Sequence, residues 1–553
     1  MATDTLGGQE TAVGRARAGF FSGRRGRLLR ENLTAYLFLA PAAILIFTFG
    51  IFPIFYASYV SLYRWRIRQN GYLGLKNYID AMGDVAYVFF GLIIVALLAV
   101  GITTIVRTLR EAKELEIPIS FPLLNLVPGA IVTSGLALIL LRFITFFTQE
   151  QAIAAGEARI LGSVPLGIVA LAVGWAASRQ ISQWQRRATG RSPFAIIPNF
   201  LQPGITAVLT IGGALFLAYF ALTTLFNSPG LTVALIKIRV VVTGLIALVV
   251  AYFIWNWAMR QFDTKKLVGG VLAAAIFIGA GIYLISIWPI ATAGADPNFY
   301  LSFAVTVFYS VGAVPIQLAI ALVLAYLLFQ DLKGRGLFRV IFFVPYIAPT
   351  VAGAAVFQVL FSLRETSLAN KFMQFITLNP DAQLRWLKEP GSVIATLGQA
   401  FGFESAANWE FGPSLALFVV IIFSIWRFVG YDTVIFLAGL GGIPRSLYEA
   451  AEIDGANRWH LFRHVTLPLL SPTTFFLSVI SVLGTFKAFN TIWVMRDSAA
   501  LGTVDTASIY FFETFQRGAR FGYAASMAMV LFAVMLTLTI IQNRIAERRV
   551  FYG

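Results

Sequence analysis

Residues 443–472 read IPRSLYEAAEIDGANRWHLFRHVTLPLLSP, a polar and charged stretch between two long apolar segments. Pro444 suits the first turn of a helix, where a missing N–H costs nothing. Gly455 follows a helical run and is typical of a helix C-terminus. A second short helix is predicted at about residues 457–465, ended by Leu467-Pro468. The pattern predicts two short helices separated by a break, either a docking site for a partner or a generic amphipathic connector.

The rest of the chain has the composition of a membrane protein. Of its 553 residues 58% are hydrophobic and 12% charged, and the mean hydropathy is +0.78. A soluble protein could not keep so apolar a surface from aggregating. The formal net charge of +16 favours basic cytoplasmic loops facing anionic lipid over nucleic-acid binding. With no cysteine in the sequence, disulfides, thiolate metal sites and a cysteine nucleophile are excluded.

The apolar segments predict an all-α polytopic membrane protein with about twelve transmembrane helices. Each segment approaches or exceeds the roughly 20 residues that cross a bilayer. They are residues 34–63, 86–107, 121–147, 160–178, 197–226, 239–259, 267–292, 300–329, 338–362, 413–440, 469–495 and 521–543.

Charge predicts the orientation of these spans. Three basic loops, around residues 107–113, 186–191 and 260–266, alternate with the acidic loop 149–157, which places both termini and the 443–472 stretch in the cytoplasm. The exceptions, which this orientation places outside, are Arg64, Arg66, Arg68, Lys237 and Arg239.

The residues of the opening stretch resemble a known family. Glu449-Ala450-Ala451, Asp454-Gly455-Ala456 and Leu467-Pro468, at their spacing, resemble the EAA coupling loop of ABC importer permeases. Ile443-Pro444 and Leu447-Tyr448 resemble its carbohydrate branch, the maltose- and glycerol-phosphate-type permeases. The resemblance covers roughly residues 34–84 and 296–545, including the basic turn 331–339, Asn370 and Trp386.

The resemblance implies a six-helix permease core interrupted after its first span by about six inserted helices. The expected domains are a basic cytoplasmic tail (1–33), the first core helix with an external segment (34–85), the inserted helices (86–295), the core with its cytoplasmic EAA coupling loop (296–545, loop at 443–468) and a C-terminal tail (546–553). Two interpretations of the insertion stay open, a stabilising platform in the lipid or a contact surface for another subunit.

The resemblance also implies partners and a location. ABC importers use two permease subunits, two copies of an ATPase and an extracytoplasmic solute-binding protein, in the inner or plasma membrane of a prokaryote. The sequence contains no Gly-Lys pair, so a Walker-type phosphate loop is excluded. We therefore expect no catalytic residues and no cofactor in this chain, with ATP and Mg bound by the partner ATPase. Membrane lipid and a sugar-type substrate are expected, and nucleic acid is not.

The resemblance assigns roles within the loop. Glu449 would be the charged contact with the ATPase, Gly455 would set the bend, and Leu447, Ala450 and Ala451 would form the packed face. The expected ATPase-coupling residues are Leu447, Tyr448, Glu449, Ala450, Ala451, Asp454, Gly455, Ala456, Leu467 and Pro468. His460 and His464 have the i, i+4 spacing of a metal pair. They lack a recognisable third ligand nearby, so no metal site is predicted.

Polar side chains inside the flanking spans are candidates for the substrate pathway, because ionisable groups are costly in a membrane. The predicted set is Arg427, Tyr431, Asp432, Phe486, Lys487, Phe489 and Asn490. An alternative is that Arg427 or Lys487 pairs with Asp432 and only fixes helix packing. After Val494 the sequence departs from the family's usual TxGGP, so the resemblance does not specify the sugar.

These features predict the permease subunit of an ATP-driven sugar importer that works by alternating access. A secondary, ion-coupled carrier of about twelve helices is the alternative. It predicts two similar halves, and no convincing repeat is visible in the sequence. A membrane enzyme would need clustered acids or histidines at an interface, and the sequence shows none.

Overall fold

The computed structural model describes residues 24–66, 69–148, 163–190, 199–260, 264–330, 333–403 and 411–549. Several predicted features therefore lie outside the described residues. They are most of the basic tail 1–33, Arg68, the acidic loop 149–157, Arg191, the first two residues of the basic turn 331–339 and residues 550–553 of the C-terminal tail.

The chain divides into two compact units, the first ending at Ser58 and the second beginning at Tyr59. The first unit contains α1 (Arg24–Leu45), which continues through a π-helical segment (Ile46–Ile51) into α2 (Phe52–Val60). The last two residues of α2 already belong to the second unit.

The second unit is built almost entirely of helices. In chain order they are α3 (Lys76–Met82), α4 (Val85–Glu114), α5 (Ser120–Leu124), α6 (Leu126–Thr148), α7 (Ser163–Ala188), α8 (Leu201–Phe226), α9 (Leu231–Ala258), α10 (Thr264–Ala291), α11 (Pro297–Phe329), α12 (Arg335–Ile347), α13 (Thr350–Leu360), α14 (Leu368–Thr377), α15 (Val393–Ala400), α16 (Leu415–Gly441), α17 (Arg445–Ile453), α18 (Arg458–Leu469), α19 (Ser471–Phe486), α20 (Asn490–Met495), α21 (Ala507–Gln516) and α22 (Phe521–Arg549). A short antiparallel hairpin, β1 (Tyr63–Trp65) and β2 (Gln69–Tyr72), precedes them.

The helices fall on the predicted spans. Within the described residues, ten helices are long and apolar enough to cross a membrane, or up to twelve if each of two bent helix pairs is one span. A helix satisfies its own backbone hydrogen bonds, which a lipid environment requires. The predicted all-α polytopic fold is confirmed.

The predicted span 338–362 is a sharply bent pair rather than one straight helix. α12 ends at Ile347, α13 begins at Thr350, and the two axes meet at 94°. Pro349 stands at the corner. Proline has no N–H to continue the helix, and it disfavours helical backbone in the preceding residue.

The predicted span 469–495 is also interrupted, since one helix ends at Phe486 and the next begins at Asn490. α19 bends 60° away from α18 and ends at Phe486. The carbonyl oxygens left free near its end are satisfied by side chains, because Ser508 Oγ donates to Phe486 O (3.1 Å) and Thr506 Oγ1 to Ala488 O (3.2 Å). These distant partners make a helix break tolerable at membrane depth.

The core is centred on the pair α11 and α16. Ala313, Ala321 and Ala325 are fully buried on α11, and such small side chains allow close helix packing. Hydrogen bonds cross the same interface, since Tyr309 Oη donates to Ser424 Oγ at 2.9 Å. This pair fixes the position of the helices on either side.

Glycines let the inserted helices approach each other closely. α4 packs on α8, α6 on both α7 and α8, and α9 on α10. A Cβ atom on Gly129 would lie 2.7 Å from the carbonyl carbon of Gly204, and one on Gly204 would lie 2.6 Å from the carbonyl oxygen of Asn125. Side chains larger than hydrogen would push these helices apart.

Lys237 joins the two ends of the insertion. Its Nζ lies 2.9 Å from Asp84 Oδ2, just before α4, and donates at 2.8 Å to the carbonyl oxygen of Ala293, just after α10. The lysine was an exception to the predicted charge pattern. Its ion pair, with side chains 12% and 22% exposed, gives it a structural role instead.

A second junction lies where α11 begins. Asp296 caps this helix by accepting from the backbone N–H of Asn298 at 3.0 Å. The other carboxylate oxygen accepts from the hydroxyls of Tyr510 (2.5 Å) and Tyr523 (2.6 Å). One side chain thus ties α11 to α21 and α22.

Candidate functional site

The polar stretch that opened the sequence forms two helices joined by a glycine turn. α17 ends at Ile453, and Gly455 has a φ of +83°, a conformation that glycine adopts without strain. The amide of Ala456 donates to Ala451 O at 2.9 Å, and that of Gly455 to Glu452 O at 3.0 Å. These bonds are the Schellman arrangement, in which glycine closes the helix. The predicted helix end at Gly455 is confirmed.

The second helix of the loop is longer than predicted. Asn457 caps α18 by accepting from the amide of His460 at 2.9 Å, and the helix runs on to Leu469 instead of ending at Leu467-Pro468. A π-helical segment, Leu461–Thr466, precedes the proline. Such wider turns accommodate a helix in which some backbone bonds cannot form.

The two helices of the loop are linked to each other and to the core. The hydroxyls of Tyr448 on α17 and Thr466 on α18 lie 3.1 Å apart. Phe462 packs edge-on against Tyr326 near the end of α11, with ring centroids 5.0 Å apart. The loop is therefore attached to the helix bundle on one side.

Its other side is exposed and partly apolar. Glu449 and Ala450 are exposed, as are Leu447 (43%), Ile453 (86%) and Trp459 (62%). Ile453 and Trp459 were not in the predicted contact set. In the sequence, their apolar side chains within a polar stretch were the signal that could have added them to the contact set.

The remaining predicted loop residues divide by exposure. Asp454, Gly455, Leu467 and Pro468 are exposed, whereas Tyr448, Ala451 and Ala456 are half-buried.

The rings of His460 and His464 stack with centroids 5.8 Å apart. Over the part of the chain that the structure describes, no group of three or more His, Cys, Asp or Glu side chains could hold a metal ion.

A cavity of about 330 Å³ lies between the helices that flank the loop. Its aromatic wall is formed by Tyr309, Tyr346, Phe428, Tyr431 and Phe489, and its polar wall by Gln317, Ser424, Asp432, Ser481, Thr485, Asn490 and Thr491. The rings of Tyr346 and Tyr431 stack with centroids 4.6 Å apart. The cavity has a size typical of small-molecule sites.

The structure brings four of the seven predicted pathway residues together. Tyr431, Asp432, Phe489 and Asn490 line the cavity. The break after α19 supplies Phe489, and Asn490 follows as the first residue of α20. Irregular backbone at membrane depth is tolerated where it lines a cavity.

The other three predicted pathway residues lie outside the cavity wall. Phe486 is 5% exposed and packs in an apolar core with Phe511 and Met527. Lys487 is exposed. Arg427 Nη1 donates to Ala348 O at 3.0 Å, at the corner between α12 and α13.

Asp432 has a partner that sequence reasoning missed. Gln317 Nε2 donates to Asp432 Oδ2 at 2.5 Å, and Asp432 is only 1% exposed. Among the described residues, neither Arg427 nor Lys487 forms an ion pair with it, so the alternative of a packing salt bridge is not what the structure contains. Gln317 is the one amide side chain of α11 beyond its first turn, and this was the signal available in the sequence.

The segment that departs from the family pattern carries an ion network. Arg496 lies over the ring of Trp493 (4.2 Å) and pairs with Asp505 (3.2 Å) and Glu513. Burial raises the pKa of Asp505, and the neighbouring Arg496 opposes that rise. The network ties this segment to α21.

Comparisons with known proteins cover this part of the chain. The family described as "Binding-protein-dependent transport system inner membrane component" matches residues 317–552, which include the loop and nearly all of the cavity wall. The arabinooligosaccharides transport system permease protein AraP of Bacillus subtilis (strain 168) is 30% identical over 259 residues, 46% of this chain and 74% of that protein. The chain belongs to this family of binding-protein-dependent permeases.

This permease is also similar to the sn-glycerol-3-phosphate transport system permease protein UgpA of Agrobacterium fabrum, at 26% identity over 56% of this chain and 94% of that protein. A bacterial alginate ABC transporter, solved with an alginate-bound periplasmic protein, aligns with a TM-score of 0.39 at 21% identity, over 51% of this chain and 93% of that one. The family assignment makes the chain a multi-pass protein of an inner-membrane transport system, and it does not favour the secondary carrier.

Proposed function

We propose that this permease forms half of a sugar-conducting pathway and receives its driving motion through the loop 443–468. The observation that carries this proposal is the direct connection of loop and cavity. Before the loop, α16 supplies Tyr431 and Asp432 to the cavity and leads into α17. After the loop, α18 leads through the 60° bend into α19, which supplies Ser481 and Thr485 to the cavity. A displacement of the loop therefore shifts two walls of the cavity.

The cavity wall suits a sugar. Aromatic faces pack on the apolar faces of a pyranose or furanose ring, and hydroxyl, amide and carboxylate groups bind its hydroxyls. Tyr346, Tyr431 and Phe489 supply faces, and Gln317, Asp432 and Asn490 supply polar groups. AraP and UgpA are named as permeases for arabinooligosaccharides and sn-glycerol-3-phosphate, which supports a hydroxylated solute.

The exposed side of the loop suits a partner ATPase. Leu447, Ile453 and Trp459 are exposed apolar side chains of the loop, and the charged Glu449 is exposed as well. Apolar anchors with a polar rim are typical of protein interfaces. The sequence has no phosphate loop, so ATP and Mg belong to the partner. We place the loop and both termini in the cytoplasm.

The full importer would contain further chains. A second permease subunit would complete the pathway, two copies of the ATPase would close on ATP, and a solute-binding protein would deliver the sugar from outside. The membrane helices would alternate between inward-open and outward-open packings, biased by the nucleotide state.

A transport assay in liposomes separates this proposal from the ion-coupled alternative. The permease is reconstituted with the proposed ATPase, second permease and solute-binding protein, and uptake of radiolabelled sugars is followed. We expect uptake to require ATP on the ATPase side and to survive ionophores that collapse proton and sodium gradients. Uptake that stops with the ionophores and proceeds without ATP would show a secondary carrier.

A further inference from the structure

The cavity has an unbalanced charge. Of its lining side chains, Asp432 is the one carboxylate, and the described residues contribute no Lys, Arg or His to the wall. Its hydrogen-bond partner, Gln317, is a neutral amide. Any ionised Asp432 therefore gives the cavity a negative potential with no fixed cation in the wall to cancel it.

Neither of the two cations on the neighbouring segments lines the cavity or pairs with Asp432. Arg427 is directed to the corner carbonyl of Ala348, 3.0 Å away, and is not part of the cavity wall. Lys487 is exposed and is likewise outside the wall. A solute that carries its own negative charge would meet this carboxylate without a compensating cation in the wall.

An uncharged solute meets a favourable site. A carboxylate accepts hydrogen bonds at up to four lone pairs, and Gln317 occupies one oxygen of Asp432. Sugar hydroxyls can donate to the remaining positions, and charge-assisted bonds of this kind are stronger than neutral ones.

We propose that the cavity selects uncharged polyhydroxylated solutes over anionic ones such as sugar phosphates and uronates, and that Asp432 makes this selection. The inference deepens the proposed function and rests on it for the identity of the cavity as a transport site. Among the hydroxylated solutes named for its relatives, it favours neutral oligosaccharides over phosphorylated polyols.

The absence of cysteine from the natural sequence permits a direct test of the cavity's potential. Ser481→Cys places a single thiol on the wall, in the full chain purified in nanodiscs. Its labelling rates with a cationic and an anionic methanethiosulfonate are each divided by that reagent's rate with free 2-mercaptoethanol. We expect the cationic reagent to be favoured on the order of tenfold. Adding Asp432→Asn should bring the ratio close to one, whereas adding Asp432→Glu should keep it.

A matched control lies elsewhere on the chain. A cavity of about 940 Å³ that includes Asn70 is lined by four basic side chains and one carboxylate, which are Arg64, Arg66, Lys76, Arg520 and Asp80. A thiol at Asn70→Cys should favour the anionic reagent, and Asp432→Asn should not change that preference. The control shows that the paired reagents report local charge and not a property of the detergent or lipid.

The outcomes are separable. Equal or anion-favouring labelling at Ser481→Cys, no labelling by either reagent, or a ratio that Asp432→Asn leaves unchanged would each overturn the inference. If Asp432→Asn fails to fold, the ratio of cationic to anionic labelling at Ser481→Cys still tests the inference. That ratio should be kept when Asp432→Glu is added. Labelling does not depend on transport. An importer that carries maltose and maltose 6-phosphate equally well refutes the selection alone, whereas cation-favouring labelling in a chain that imports no sugar refutes the proposed function alone.

Discussion

The guanidinium of Arg427 on α16 donates a hydrogen bond of 3.0 Å to the carbonyl oxygen of Ala348, at the corner where α12 meets α13. A cation at a helix C-terminus satisfies a free carbonyl and opposes the negative end of the helix dipole. Tyr346, two residues before this carbonyl, stacks on Tyr431 in the cavity wall. Arg427 thus holds the corner that positions an aromatic residue of the cavity.

Removing this bond should loosen the corner. Arg427→Leu leaves the Ala348 carbonyl without its donor, a change that costs about 1–3 kcal/mol when the group is out of water. We expect a lower midpoint of thermal unfolding in detergent, together with weaker sugar binding. Arg385→Leu, at an exposed arginine, is the control. Equal effects of the two substitutions would contradict the role of Arg427.

Gly430 should tolerate no side chain. A Cβ there would lie 1.8 Å from the carbonyl oxygen of Phe342, because α12 rests on α16 at this glycine. Gly430→Ala should displace α12 and destabilise the fold by about 1–3 kcal/mol or more. Gly441→Ala on the same helix meets nothing within 4 Å and should be neutral or slightly stabilising. Unfolding midpoints of the two variants in one detergent compare them directly, and matching midpoints would show that the contact does not matter.

Asn370 should stabilise the segment between α13 and α16. It is fully buried, and its Oδ1 accepts from the backbone N–H of Leu384 (3.0 Å) and from Nε1 of Trp386 (2.8 Å). Asn370→Ala leaves both donors unpaired, which should cost about 1–3 kcal/mol for each. The tryptophan emission should also change. Asn379→Ala removes an exposed amide with one short-range bond and should change little.

The sequence predicted the spans and the loop because both have local causes. Runs of about 20 apolar residues can only be buried in lipid as helices. The break after α17 follows from Gly455 itself, whose positive φ no other residue type adopts as readily.

The break after α19 could not be predicted in the same way. The end of α19 at Phe486 depends on hydrogen bonds from Thr506 and Ser508, about twenty residues later in the chain. Lys487 and Asn490 make this part of the run polar, but polar side chains alone do not end a helix.

The sequence also did not show which of the predicted pathway residues line the cavity. Arg427 and Tyr431 share a helix face by their i, i+4 spacing, yet Tyr431 lines the cavity and Arg427 serves the corner beside it. Gln317, the partner of Asp432, lies 115 residues away in sequence, so only the packing of α11 on α16 reveals the pair.

The central claim is that the loop 443–468 couples this permease to an ATPase. Its most direct test uses the double variant Glu449→Lys, Gly455→Pro. Two quantities are measured, co-purification of the ATPase with the permease and uptake of sugar. Proline cannot adopt the φ of +83° at residue 455, and the lysine reverses the exposed charge at residue 449. Glu365→Lys, at an exposed site outside the loop, controls for charge reversal. We predict normal membrane insertion with loss of both the ATPase and uptake in the double variant alone. Undiminished ATPase association and uptake would contradict the account.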